Sequence, residues 1–124
     1  MKQERTILFH GHYFTEFYIA QSTKVQEKIE FVFKVVRTVD NVPEKFLKHL
    51  SGTDGLYEIR VESESNIFRI FCCFDKGNLV VLFNAFQKKT QKTPNQELVM
   101  AKKLQKEYFK LKELENEKRT NKKR

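Results

Sequence analysis

Four glycines and two prolines in 124 residues leave little material for a phosphate-cradling loop. Neither G-x-G-x-x-G nor a P-loop motif occurs, so nucleotide-dependent chemistry is not expected. No G-x-S-x-G elbow presents a nucleophilic serine. The histidines are few and badly spaced for a metal: His10 and His12 are two apart, and His49 is remote. No metal and no other cofactor is therefore expected. Only two cysteines are present, Cys72 and Cys73, adjacent within an apolar run. On a strand they face opposite sides, so a bridge between them would be strained. Lacking C-x-x-C spacing and a secretory leader, they read as reduced core residues of a cytoplasmic protein. Nowhere do eighteen apolar residues run together, and no membrane partner is expected.

Acidic residues are scarce at one end. The chain holds 24 Lys/Arg and 16 Asp/Glu, a formal charge of +8; residues 1–83 contain 11 of each sign, whereas residues 84–124 contain 13 basic and 5 acidic. The whole excess lies in the last third. Such asymmetry suits a phosphate backbone, an anionic surface or an acidic protein, or simply a solvated helix.

The apolar 40% of the chain, with twelve phenylalanines, is enough for one packed core. One domain is expected over residues 1–117, followed by a basic, mobile tail over residues 118–124. RTILF at residues 5–9 is a candidate first strand. Phe14, Phe17 and Tyr18 have helical spacing, and so do Val25, Ile29, Val32, Phe33 and Val36, with Thr23 as the cap. PEKFLKHLSGTDG, residues 43–55, reads as one helical turn and a polar loop.

Three strand candidates follow. LYEIRV (residues 56–61) alternates, placing Glu58 and Arg60 on one face. IFRIFCCF (residues 67–74) is nearly continuous. NLVVLFNAF (residues 78–86) follows a DKGN hairpin turn. Thr93-Pro94-Asn95-Gln96 has the form of a helix start, and Ala101, Leu104, Tyr108, Leu111 and Leu114 continue an apolar seam. The expected class is α+β, with two N-terminal helices packed on a small twisted, mostly antiparallel sheet of about four strands, and a C-terminal helix.

The chemistry that remains is cationic. Arg69 is the one charge in an apolar strand, so it must be paired, with Glu58 or Glu62 across the ladder, or open onto a functional surface. Lys88, Lys89 and Lys92 follow the last strand, in reach of the face that carries Arg60 and Arg69. With Phe86 at the edge and Thr90 between the lysines, they would form a basic surface for single-stranded RNA, in which cations hold phosphates and an aromatic stacks on a base. RNA carries its own nucleophile, the ribose 2′-OH, so such a face needs only a base, an acid and a stabiliser of the phosphorane-like transition state.

GLYEIRV (residues 55–61), FRIF (residues 68–71) and above all NAFQKKTQKTP (residues 84–94) resemble the HigB-like branch of the RelE/ParE toxin superfamily, including its phage-derived relatives. The similarity extends over nearly the whole chain. It implies a toxin of a type II toxin-antitoxin pair, a metal-independent, ribosome-dependent endoribonuclease that cuts mRNA and inhibits translation. Its implied partners are the ribosome, mRNA and a cognate helix-turn-helix antitoxin. By position, Arg60 matches a basic residue of the family's second strand and Arg69 its phosphate-stabilising arginine, while Lys88 and Lys89 match the basic residues after the last strand. These four are the candidate catalytic residues; Phe86, Thr90 and Lys92 are candidate RNA contacts. The tyrosine or histidine that many relatives use as acid or stacking group has no counterpart in Thr90-Gln91-Lys92-Thr93-Pro94. Two other readings are a gyrase-inhibiting toxin of the ParE kind, which acts by binding protein, and a non-catalytic nucleic-acid-binding relative.

Overall fold

The structure, a computed structural model, describes residues 4–122, with side chains to residue 120. The chain runs β1 (Thr6–Phe9), α1 (Tyr13–Ile19), α2 (Thr23–Thr38), β2 (Leu47–His49), β3 (Leu56–Ser63), β4 (Asn66–Asp75), β5 (Leu79–Lys88) and α3 (Asn95–Lys122). The sheet order is β1-β5-β4-β3-β2, antiparallel except where β1 lies parallel to β5. This is the expected α+β fold with one strand more than the sequence indicated.

That extra strand is β2. The helical turn expected after Pro43 is present, closed by Phe46 and Leu47 N–H groups donating to the Pro43 carbonyl at 2.9 and 3.1 Å. It is followed not by loop but by Leu47–His49 paired with β3. Three residues are too few to show an alternating pattern, so the signal was below the length at which periodicity is readable.

Helix α2 buries Val25, Ile29, Val32, Phe33 and Val36, the stripe its spacing requires. Its cap is Ser22, one residue before the expected Thr23: the Ser22 hydroxyl accepts from the Val25 N–H at 3.3 Å. With Phe14 of α1, this stripe packs on Ile59, Val61, Phe68, Ile70, Cys72, Val80 and Leu82. The opposite face of the sheet presents Leu56, Phe71, Cys73, Val81, Phe83 and Phe86 to Ala101 and Leu104 of α3. β4 is thus covered on both sides, which is why its sequence is almost uninterrupted apolar. Cys72 and Cys73 enter opposite layers as free thiols. Burial pushes both thiols up, Cys73 to about 11, so neither is a nucleophile at neutral pH.

A β-bulge in β5 sets which side chains reach the α3 side. Ile70 opposes Ala85 but Cys72 opposes Leu82, so Phe83 and Asn84 together face Phe71. Both turn toward α3: Phe83 enters the second core, and the Asn84 amide donates to the Glu97 carbonyl and carboxylate, each at 3.0 Å. Without the extra residue, strict alternation would send Phe86 and Lys88 to the α2 face.

Helix α3 begins one residue later than its motif implies, with the Pro94 carbonyl accepting from Glu97 and Leu98 N–H groups at 3.1 and 3.3 Å. Its apolar seam ends early. Leu111 and Leu114, expected to be packed, are exposed because the helix outruns the sheet. The basic segment from residue 118 is helical as far as Lys122, and the last two residues of the expected tail lie outside the described residues. Among the described residues no helix is long and apolar enough to cross a membrane.

Candidate nucleic-acid interface

Beyond the first turn of α3, the same side of the sheet continues past the helix as rows of side chains from β3, β4 and β5. The ladder sets Arg60 opposite Arg69 and Arg69 opposite Phe86; the next row is Glu62, Ile67 and Lys88. The strand register therefore brings four of the sequence candidates, Arg60, Arg69, Phe86 and Lys88, into two adjacent rows on one face.

Two arginines directly opposite one another repel, and the sheet compensates with a carboxylate one row away. Glu58 Oε1 lies 3.1 Å from Arg60 Nε and 3.5 Å from Arg69 Nε. Glu58 is 3% and Arg69 6% exposed, so the pairing forms away from water. Only the contact with Arg60 has hydrogen-bond geometry: Arg69 Nε and Glu58 Oε2 are buried without a hydrogen-bond partner, and Arg69 donates from one terminal nitrogen to the Phe68 carbonyl at 3.1 Å. Burial lowers the Arg69 pKa, Glu58 opposes that shift, and Arg60 adds to it. Two guanidiniums share one close carboxylate. Glu62, in the next row, adds a second and more distant negative charge, so Arg69 feels two carboxylates but makes its close contact with Glu58 alone.

The remaining candidates occupy two different environments. Phe86 is buried and packs on Phe71 with ring centroids 5.6 Å apart, so its ring is part of the core beneath the face. Lys89, Thr90 and Lys92 are exposed in the loop after β5, where the Thr90 hydroxyl donates to the Lys92 carbonyl at 2.9 Å. Lys88, Lys89, Thr90 and Gln91 line a groove of about 360 Å³ with Ile67 as its apolar wall. Lys92 is not among its lining residues. Among the described residues, no group of three or more His, Cys, Asp or Glu side chains is placed to hold a metal ion.

Sequence reasoning missed a second polar cluster, where α3 crosses the far end of the sheet. Tyr108 donates to Asp75 Oδ2 at 2.7 Å and Lys112 Nζ lies 2.5 Å from the same oxygen. His10 Nε2 lies 2.8 Å from Glu107 Oε1, with its ring edge-on to Phe83 and Tyr108. The i, i+4 spacing of Tyr108 and Lys112 was visible, but their partner is the last residue of β4, far away in the chain.

This cluster gives the fold a defined pH response. Burial alone would raise the Asp75 carboxyl, but hydrogen bonds from Lys112 and Tyr108, with the charges of Lys112 and Lys76, outweigh it and hold the group low. Its stabilisation is complete above the unfolded value of about 3.9 and is lost as pH falls through the folded value. Tyr108 is pushed up to about 12 by burial and then by Asp75, so its contribution is complete below about pH 10 and is lost as pH rises toward that folded value. Asp75→Asn is expected to cost about 1–3 kcal/mol near neutrality and to flatten both limbs, as measured by urea unfolding from acid to alkaline pH.

A family model described as "Phage derived protein Gp49-like (DUF891)" matches residues 16–106, from within α1 to the first half of α3 and including the whole face described above. No curated protein matches the chain.

Proposed function

This chain belongs to the Gp49-like family of phage-derived proteins, and on that footing we propose that it is the toxin of a type II toxin-antitoxin pair, a ribosome-dependent endoribonuclease of the RelE/HigB kind. The observation that carries the reading is the row Arg60, Arg69, Phe86 leading to Lys88 and the exposed groove of Lys88, Lys89 and Thr90. Lys88 and Lys89 take the RNA backbone, with Thr90 and Lys92 beside them. The ribose 2′-OH attacks the adjacent phosphorus, the P–O5′ bond breaks, and the product is a 2′,3′-cyclic phosphate with a free 5′-hydroxyl. Arg60 and Arg69 stabilise the charge that gathers on the phosphoryl oxygens in the transition state. Proton transfer to and from the ribose oxygens falls to groups the ribosome supplies or to lysines at the groove. A helix-turn-helix antitoxin completes the pair.

Induction of the wild type without antitoxin is expected to arrest translation and create new mRNA 5′ ends, mapped genome-wide. Lys88→Ala with Lys89→Ala, both outside the core, is expected to reduce those ends by about 10- to 100-fold, the worth of a charged hydrogen bond or two. Intact translation and no new ends would end the proposal. DNA-damage signalling instead would favour the gyrase-directed reading, and RNA binding without cleavage on ribosomes the non-catalytic one.

A further inference from the structure

The cleavage face uses few of the cations in the basic third of the chain. Lys102, Lys106 and Lys110 recur every four residues along α3, about 6 Å apart on a rigid helix. They are exposed and border a groove of about 640 Å³, larger than the one beside Lys88. Its opposite wall is the loop between β2 and β3, at Gly52, Thr53 and Asp54, and Glu113 lies at its border, so two carboxylates stand beside the three lysines. Lys103 joins Lys102 and Lys106 at an adjoining depression. None of these four lysines has an ion-pair partner among the described residues.

The opposite wall is held in place. Gln105, 8% exposed, donates to the Asp54 carbonyl at 2.7 Å and ties the loop to the helix. The Thr53 hydroxyl donates to the Leu50 carbonyl at 2.6 Å and accepts from the Leu56 N–H at 3.1 Å. Phe109 supplies an apolar floor.

We propose that this groove is a second nucleic-acid-binding site, which grips the phosphate backbone of folded RNA along α3 and takes no part in cleavage. Lysine acts as a rotatable point charge, suited to a repeating polyanion rather than to a single planar carboxylate. Its spacing along the helix is of the same order as the charge repeat of a nucleic-acid strand. An acidic polypeptide matches the sign of the lysine row, but a stable protein interface also needs several apolar anchors, and the floor provides one ring. The assignment goes beyond the cleavage reading and stands without it.

The test is binding of a fluorescein-labelled RNA hairpin to the full chain, without ribosomes, followed by anisotropy from about 50 to 200 mM KCl. Lys102→Gln with Lys106→Gln and Lys110→Gln is expected to weaken binding at least tenfold and to reduce the slope of log K against log salt by about 2. Lys106→Glu alone is expected to weaken it several-fold, which covers the case of a triple variant that fails to fold. Lys24→Gln with Lys34→Gln, two exposed lysines of α2 on the other side of the sheet, is expected to retain most of the hairpin affinity. Unchanged affinity and slope in the lysine variants would overturn the proposal, as would tighter binding of poly-glutamate than of RNA.

Discussion

Glu58→Ala is expected to destabilise the fold by about 3–5 kcal/mol, the range for removing one partner of a buried ion pair. The reason is asymmetry within the cluster. Glu58 contacts both arginines, whereas Arg69 has Glu58 as its one ion-pair contact within 4 Å among the described residues. Deleting the carboxylate leaves Arg69 buried and opposite Arg60, with like charges across a ladder position. Deleting Arg69 leaves Glu58 still hydrogen-bonded to Arg60. Arg69→Met is therefore expected to cost less than Glu58→Ala. The double variant Glu58→Leu with Arg69→Met is expected to recover most of the loss, because an apolar pair of similar volume is neutral or stabilising and Arg60 can turn toward water. Urea unfolding of the three variants measures the order directly. A cost below about 1 kcal/mol for Glu58→Ala would mean that water reaches the cluster and that the burial argument fails.

Arg69 was legible as an anomaly, a charge in the middle of IFRIFCCF, and the sequence offered two resolutions: an ion pair with Glu58 or Glu62, or an opening onto a functional face. The structure contains the first, with Glu58, one row from Phe86 and two from Lys88 on the same face. Alternation put Glu58 and Arg60 on one face, but depth along that face depends on how far α3 extends over it, which no local pattern encodes. The same limit explains Phe86. An aromatic beside a lysine cluster suits base stacking, yet the bulge at Phe83 and Asn84 and the neighbouring Phe71 make it a core ring. Long periodic elements such as α2 and β4 were readable because burial on one or both faces writes a pattern over many residues. The contacts that fix α3, Asp75 with Tyr108 and Lys112, and His10 with Glu107, join residues far apart in the chain and have no local signature.

Arg69→Lys is expected to slow mRNA cleavage on ribosomes by about 10²–10³-fold, the effect of losing one preorganised donor to a transition-state charge. Lysine keeps the positive charge but not the planar fork, so it balances Glu58 while failing to present two N–H groups to a phosphoryl group. The loss should appear in kcat with KM little changed, because the interaction strengthens only as charge develops on the phosphate. Lys88, half-buried at the groove, and Lys89, exposed, can meet the ground-state backbone and should instead raise KM when removed. That contrast separates a stabilising arginine from a merely structural cation. For a structural cation, Arg69→Lys would leave kcat intact and Arg69→Met would change stability alone. An arginine so nearly closed off must also be reached by its substrate. Weakening the clamp without deleting its hydrogen-bonding capacity, by Glu58→Gln, should then free Arg69 and raise kcat in the Arg69 background while leaving Arg69→Lys slow. If Glu58→Gln slows both equally, the carboxylate positions the arginine rather than restraining it.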